Sequence, residues 1–285
     1  MSTPVRLIET VTLLREQVAQ WRQQGLSVGF VPTMGALHAG HMRLVETALS
    51  QCDRVIASVF VNPTQFAAHE DLDRYPRQLD ADAALLSAHG CHGLFAPTAE
   101  TMYPSGSVTR VLLDGGPQAG LETDHRPQFF GGVATVVTKL LLQVGADKAF
   151  FGEKDYQQLL VIRRMVQDLF IPTEIQGVPT ARETDGLALS SRNVYLSPEE
   201  RVIAGQMNVI LRAALVAVKQ GAPLSASEIE ARKALLSVGF AHVDYVDIRN
   251  TETLERFSDE QPDGPMRILA AAWLGKTRLI DNLGL

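Results

Sequence analysis

Between residues 26 and 178 the chain alternates short apolar runs with stretches of helical length, and this rhythm constrains the fold more than any other feature. Apolar runs fall at residues 26–31, 54–61, 93–96, 148–151 and 173–178. Strands that are apolar on both faces read as continuous runs, the mark of a parallel sheet covered on each side. The intervening segments at 41–50, 79–89, 133–144 and 155–169 have the length and periodicity of helices. An amphipathic helix at 10–24 precedes the first run, with Val11, Leu14, Val18 and Trp21 three or four residues apart and Gly25 closing it. Strands alternating with helices imply βαβ units and an α/β, doubly wound parallel sheet.

Beyond residue 179 the rhythm changes. A long helix over 198–218 starts at Ser197 as N-cap, with Pro198 at its first position and Glu199 and Glu200 in its first turn. A second helix at 226–237 follows the break at 221–223. Residues 242–249 alternate as H-V-D-Y-V-D-I-R, and apolar runs follow at 268–274 and 278–282. The expectation is a Rossmann-like domain over 1–180 and a smaller α+β domain over 181–285, with a boundary near 178–184.

Composition narrows the function classes. The 285 residues carry 26 Lys+Arg against 32 Asp+Glu, a net charge of −6, which argues against broad binding to nucleic acid or an anionic membrane. A local cationic pocket for a phosphate ligand stays allowed. Cys52 and Cys91 are too few for a disulfide framework or a structural zinc site, and are expected as buried free thiols. Arg6, Glu9, Arg15 and Glu16 interrupt any secretory h-region, and no apolar run approaches the ~20 residues of a membrane span. The expected setting is soluble, reducing and cytoplasmic.

Four segments carry chemistry. The first, Pro32-Thr33-Met34-Gly35-Ala36-Leu37-His38-Ala39-Gly40-His41, links the first apolar run to the next helix. Ligands of open parallel sheets bind at the carboxyl ends of strands, where helix N-termini point N–H groups outward. Gly40 lets a phosphate approach the backbone, and His38 and His41 can donate to its oxygens. Two histidines at this spacing could also be a metal pair or surface residues, but no third ligand lies nearby in sequence. H-x-G-H after a strand resembles the nucleotide signature of the class I synthetase and nucleotidyltransferase superfamily. The second segment is Leu189-Ser190-Ser191-Arg192-Asn193, in which two hydroxyls and a guanidinium suit triphosphate oxygens. Alone it is equally an ordinary polar loop. The third is Phe151-Gly152-Glu153-Lys154-Asp155-Tyr156-Gln157-Gln158. There Lys154 could neutralise a phosphate and Asp155 could serve a ribose hydroxyl or a magnesium water, although Asp at a helix start also reads as a plain cap. The fourth is Val61-Asn62-Pro63-Thr64-Gln65-Phe66, where Gln65 offers a donor and an acceptor to a small polar substrate, and where a turn alone would also favour Asn-Pro.

Taken together, P-T-M-G-A-L-H-A-G-H, F-V-N-P-T-Q-F, D-L-D-R-Y-P-R, F-F-G-E-K-D-Y-Q-Q-L, D-G-L-A-L-S-S-R-N and the terminal T-R-L-I-D-N resemble the pantoate–β-alanine ligase family over nearly the whole chain. The resemblance implies an ATP-dependent condensation of pantoate with β-alanine through a pantoyl adenylate, with AMP and pyrophosphate released. It implies that His38 and His41 contact ATP phosphates, His41 being the catalytic one, and that Lys154, Arg192, Ser190 and Ser191 hold the triphosphate with Mg2+. Met34, Gly152, Asp155, Ala181 and Leu189 would line the adenosine site, and Gln65 and Gln158 would bind pantoate. Gln65 is also associated with β-alanine, and Asn62 and Tyr75 would support that pocket. The metal ligands are left unassigned, and a homodimer is implied. The alternative within the superfamily is an adenylyltransferase that keeps its adenylated product. Where the resemblance leads one to expect histidine, residue 129 is Phe, while Arg126 is kept. Ala181 and Leu189 stand where some relatives have Val and Met, and both remain apolar.

Overall fold

The computed structural model describes residues 4–67, 72–258 and 264–285; Asp71, which opens the D-L-D-R-Y-P-R stretch, lies outside them. The elements run β1 (Arg6–Ile8), α1 (Val11–Gln23), β2 (Val28–Thr33), α2 (Ala39–Gln51), β3 (Arg54–Val59), α3 (Leu79–Ala88), β4 (Gly93–Phe95), α4 (Ala99–Met102), α5 (Glu122–His125), α6 (Phe129–Val144), β5 (Lys148–Gly152), α7 (Tyr156–Asp168) and β6 (Glu174–Val178). Then follow α8 (Pro198–Lys219), α9 (Leu224–Ser237), β7 (His242–Asn250), β8 (Met266–Leu274) and β9 (Thr277–Gly284). The chain forms two compact units. One takes the described residues within Met1–Asp114, Arg126–Glu153 and Val161–Pro179; the other takes those within Gly115–His125, Lys154–Leu160 and Thr180–Leu285.

The first unit holds a six-stranded sheet in the order β1-β4-β3-β2-β5-β6, parallel throughout. Val28 to Val31, Val55 to Ser58 and Ala149 to Phe151 are consecutively buried, as strands covered on both faces must be. The order reverses at β2, which has β3 on one side and β5 on the other, so the crevice for a ligand lies outside the carboxyl ends of β2 and β5. The residues there are Met34–His41 and Gly152–Glu153.

Several elements differ from their sequence signals. β1 is only three residues long, too short to show a period, yet it pairs in register with β4. α6 begins four residues earlier than its apolar run, because Gly131 and Gly132 hide its first turn from a hydropathy reading. β3 stops at Val59, two residues before the apolar run ends, and the chain turns into a 3-10 turn at Pro63–Gln65.

In the second unit β7, β8 and β9 form an antiparallel sheet, with α8 and α9 packed on it. α8 is capped as the sequence predicts: Ser197 Oγ accepts the Glu200 N–H at 3.2 Å, and Glu200 Oε2 accepts the Ser197 N–H at 2.9 Å. Contrary to the expectation that nothing approaches a membrane-span length, α8 is long and apolar enough to qualify. Its composition has another cause. Ala204, Met207, Leu211, Ala214 and Leu215 form a buried stripe in the core of this unit, while Glu199, Glu200, Arg201, Arg212 and Lys219 punctuate the rest.

The stretch Gly115–His125 is held to this sheet by a buried ionic network. Arg278 makes two 2.8 Å bonds to the Glu122 carboxylate and donates through Nε to Asp244 at 2.6 Å, and the Tyr245 hydroxyl donates to Glu122 at 2.7 Å. Burial pulls on the Arg278 guanidinium, but these carboxylates outweigh it and keep it firmly charged. Cys52 and Cys91 are both buried and unpaired.

Candidate active site

The turn between β2 and α2 is built by its own polar side chains. His38 is the N-cap of α2: its Nδ1 accepts the Gly40 N–H at 3.1 Å, and its carbonyl accepts the N–H groups of His41 and Met42. In return His41 Nδ1 accepts the His38 N–H at 3.3 Å. The two histidines thus form a reciprocal capping box, with ring centroids 4.1 Å apart. A backbone N–H can only donate, so each imidazole keeps its acceptor at Nδ1 and carries its hydrogen on Nε2. The H-x-G-H spacing therefore sets a tautomer as well as a position. No acidic residue occupies the first turn of α2, so its positive end keeps its pull on an anion.

The turn ahead of the cap is strained and anchored. Gly35 and Ala36 both have positive φ, 85° and 52°. Asp82 of α3, 1% exposed, accepts the Ala36 N–H at 3.0 Å and the Leu37 N–H at 2.8 Å. Sequence reasoning missed Asp82, since nothing in L-D-A-D-A-A-L-L separates it from Asp80.

Beside this turn, the 3-10 turn after β3 places Asn62 and Gln65, both buried. Asn62 Nδ2 donates to Gln65 Oε1 at 3.0 Å, and Gln65 Nε2 donates to Met34 Sδ at 3.1 Å, so the first and fourth sequence segments meet. Tyr75 is buried edge-on to Phe66, with ring centroids 6.0 Å apart, in an apolar cluster with Ala36. Arg126 lies 3.9 Å above the ring of Phe129 and donates to the Gln65 carbonyl at 3.4 Å. Phe129 is 9% exposed and packs 5.0 Å from Phe130, so at this position the side chain is a stacking platform for the guanidinium.

The remaining predicted residues belong to the second unit. Lys154 and Asp155 sit in the 3-10 turn that precedes α7, with Lys154 Nζ 3.5 Å from Asp155 Oδ1. Asn282 of the terminal T-R-L-I-D-N donates to the Lys154 carbonyl at 2.8 Å and fixes that turn. Gln158 is half-buried, whereas its neighbour Gln157 is 3% exposed and donates to the carbonyls of Pro117 and Gly120. Ala181 and Leu189 face each other across a small hairpin, with the Leu189 N–H bonded to the Ala181 carbonyl at 2.9 Å. Arg182 pins this hairpin by a bidentate pair to buried Asp281 at 2.7 and 2.9 Å. Ser190 then caps a 3-10 turn over Ser191–Tyr195, its hydroxyl accepting the Arg192 N–H at 3.3 Å.

A parallel sheet whose reversal point carries a histidine-capped helix N-terminus is the arrangement of a nucleotide-using synthetase or nucleotidyltransferase. Comparison with known proteins narrows this class. The family described as pantoate-beta-alanine ligase matches residues 6–284. A pantothenate synthetase of Paramagnetospirillum magneticum is 55% identical over 284 residues, covering 100% of this chain and 99% of the relative. One from Caulobacter vibrioides is 54% identical, covering 99% of each. Among solved structures, pantothenate synthetase from Thermus thermophilus aligns with a TM-score of 0.92 and 49% identity, covering 98% of this chain and 99% of that one. A pantoate-beta-alanine ligase from Francisella tularensis, solved with beta-gamma ATP and beta-alanine, aligns with a TM-score of 0.82 and 35% identity, covering 98% and 97%. The chain belongs to the pantoate–β-alanine ligase family, and its reaction is the ATP-dependent joining of pantoate to β-alanine.

Proposed function

We propose that the residues named above carry this reaction in two steps, with residues 1–180 supplying the nucleotide and pantoate groups and residues 181–285 the phosphate loop. In the first step the pantoate carboxylate attacks the α-phosphate of ATP, and pyrophosphate leaves. A carboxylate is already ionised at neutral pH, so no strong base is needed. What the step needs is alignment, and donors aimed at the phosphoryl oxygens as charge builds on them. The observation that carries this reading is the reciprocal cap of His38 and His41, which fixes the position and tautomer of both rings at the N-terminus of α2. Gly35, Ala36, Leu37, Ala39 and Gly40 supply backbone to the phosphates, and Met34, Gly152, Glu153, Asp155, Ala181 and Leu189 line the adenosine. Lys154, Ser190, Ser191 and Arg192 serve the triphosphate. In the second step the β-alanine amine attacks the acyl carbon, AMP leaves with the bonding electrons, and the amine gives up a proton. Gln65 and Gln158 hold pantoate, with Asn62 and Tyr75 behind them.

Mg2+ fits as a companion of ATP. No group of three or more His, Cys, Asp or Glu forms a cage among the described residues, and magnesium prefers phosphate oxygens with one or two carboxylates. Asp155, with 42% of its side chain exposed, would supply the carboxylate. Bound there, the ion would neutralise phosphate charge.

The enzyme is further inferred to be a cytoplasmic homodimer without a nucleic-acid or membrane partner. The charge of −6 supports the first exclusion. Self-association is supported by Val108 and Leu112, 87% and 71% exposed on a stretch with no assigned strand or helix. Light scattering tests it.

The mechanism is tested by mixing ATP, Mg2+ and pantoate with and without β-alanine. AMP release should require β-alanine, and adenylylated pantoate should accumulate without it. AMP formation indifferent to β-alanine would sink the two-step scheme. His41→Ala should lower kcat by about 10²–10³-fold, the effect of one lost oxyanion-type donor. A normal kcat would remove His41 from the mechanism.

A further inference from the structure

The amide of Gln65 has a fixed polarity, and the residues that fix it lie outside every motif above except Asn62 and Thr64. Asn62 is held by groups that leave its amide one orientation. Its Oδ1 accepts from the Thr64 backbone N–H at 3.3 Å, from Thr64 Oγ1 at 3.0 Å and from the Tyr103 hydroxyl at 2.8 Å. Its Nδ2 donates to the Gly132 carbonyl at 3.2 Å and to Gln65 at 3.0 Å. A backbone N–H only donates and a carbonyl only accepts, so Asn62 cannot turn over. Gln65 must then spend Oε1 on Asn62 and turn Nε2 the other way, where Met34 Sδ, a weak acceptor, takes one hydrogen at 3.1 Å.

Tyr103 makes the shortest of these contacts to Asn62. It follows directly on α4, and its ring lies 6.3 Å from Phe60 and 4.9 Å from Lys139 Nζ. Lys139 is itself tied to the Met102 carbonyl at 2.8 Å. Burial pushes the Tyr103 phenol above its ordinary value, so the hydroxyl keeps its hydrogen across the working pH range.

We propose that Tyr103 is a positioning residue for substrate binding: through Asn62 it holds the Gln65 amide with its N–H toward the ligand, so that this side chain selects an oxygen acceptor. A hydroxyl or carboxylate oxygen of pantoate fits that polarity. The ammonium form of β-alanine, which offers only hydrogens, does not. The inference rests on the reading of Gln65 as a pantoate residue.

The test is a double-mutant cycle on Tyr103→Phe and Gln65→Ala, with KM for pantoate, KM for ATP and kcat measured for each. Tyr103→Phe should raise KM for pantoate about 2- to 10-fold, the range for one lost neutral hydrogen bond, with KM for ATP unchanged. Gln65→Ala should raise it further, and in that background Tyr103→Phe should add nothing, because the relay no longer has an end. Equal effects of Tyr103→Phe in both backgrounds, or an equal rise in KM for ATP, would overturn the proposal. Normal pantoate binding by Gln65→Ala would overturn the assignment of Gln65 and the proposal with it. An impaired Gln65→Ala beside a normal Tyr103→Phe overturns the proposal alone. Should Tyr103→Phe not fold, Asn62→Asp keeps the acceptor for Tyr103 and Thr64 and removes the donors to Gln65 and to the Gly132 carbonyl. It should raise KM for pantoate at least as far, and an unchanged KM rejects the relay.

Discussion

Replacing Asp82 probes whether the turn between β2 and α2 is held by a carboxylate from α3. Its carboxylate takes two backbone N–H groups, Ala36 at 3.0 Å and Leu37 at 2.8 Å, and a third bond from Gln78 Nε2 at 3.3 Å. In Asp82→Ala the two amides lose their acceptors in a buried place. Each orphaned buried donor costs about 1–3 kcal/mol, so the loss should be about 2–6 kcal/mol. The positive φ of Ala36 offsets part of this, because its strain can relax once the turn loses its anchor. A non-glycine residue there costs roughly 1–2 kcal/mol, a strain that persists only while neighbours hold it. Asp82→Asn keeps one acceptor but turns an NH2 toward a backbone N–H, and should fall between wild type and Asp82→Ala.

Urea denaturation measures this directly, with an unchanged m-value showing that the same structure unfolds. Against a typical stability of about 5–15 kcal/mol, Asp82→Ala should stay mostly folded at 25 °C, so its kinetics can be read too. KM for ATP should rise more than KM for pantoate, since the turn leads into the capped helix N-terminus. Stability within 0.5 kcal/mol of wild type, roughly the low end for one net hydrogen bond, together with a normal KM for ATP, would refute the reasoning.

Four further outcomes follow from other contacts. Gly132→Ala should destabilise by about 1–3 kcal/mol or more in denaturant titration although Ala is the better helix former, because its Cβ would fall 2.5 Å from the Thr64 carbonyl oxygen and 2.7 Å from Gln65 Cα. Asp281→Ala should cost about 3–5 kcal/mol by the same measurement, since it leaves the Arg182 guanidinium, 16% exposed, without its carboxylate. Burial pushes the Cys91 thiol up to about 11, so iodoacetamide at pH 8 should label it in urea and leave it untouched in the native enzyme, as mass spectrometry would read. Asp185 is held below its ordinary 3.8 chiefly by the hydrogen bond from Arg201, so its contribution is present at neutral pH and is lost as pH falls through that depressed value. The Tm gap between wild type and Arg201→Met should therefore be small at pH 7, since the pair is partly exposed, and should vanish toward pH 3.

How much of this was legible in the sequence depended on whether a feature is local. The parallel sheet was, because burial on both faces leaves continuous apolar runs such as Val28 to Val31. The H-x-G-H segment was legible as a strand-to-helix turn, but not as the reciprocal cap that the two histidines form. Asp82 and Tyr103 were not, since their partners lie 45 or 46 and 41 residues away and their own neighbourhoods read as a helix start and a loop. Adjacent glutamines make the point most sharply. Gln157 and Gln158 are identical by composition and motif, yet Gln157 is used up on Pro117, Gly120 and the Glu122 N–H while Gln158 stays half-buried. Side-chain direction on a helix separates them, and direction is settled by tertiary packing.

The polar groups around the turn after β2 share one device. His38 and His41 are oriented by backbone N–H groups, Asn62 by one N–H and one carbonyl, and Asp82 by two N–H groups. Backbone groups do not titrate and do not exchange donor for acceptor, so they dictate which way each side chain is turned. The groups so oriented include N–H donors: two imidazoles carrying their hydrogen on Nε2, and a glutamine amide that donates to Met34 Sδ. Oriented donors of this kind attract an anion without any net positive charge. That is how a chain with a formal charge of −6 can present a phosphate- and carboxylate-seeking surface. On the proposed assignment of Lys154 and Arg192 to the triphosphate, where charge develops, neutralising either one should depress kcat more than it raises KM for ATP.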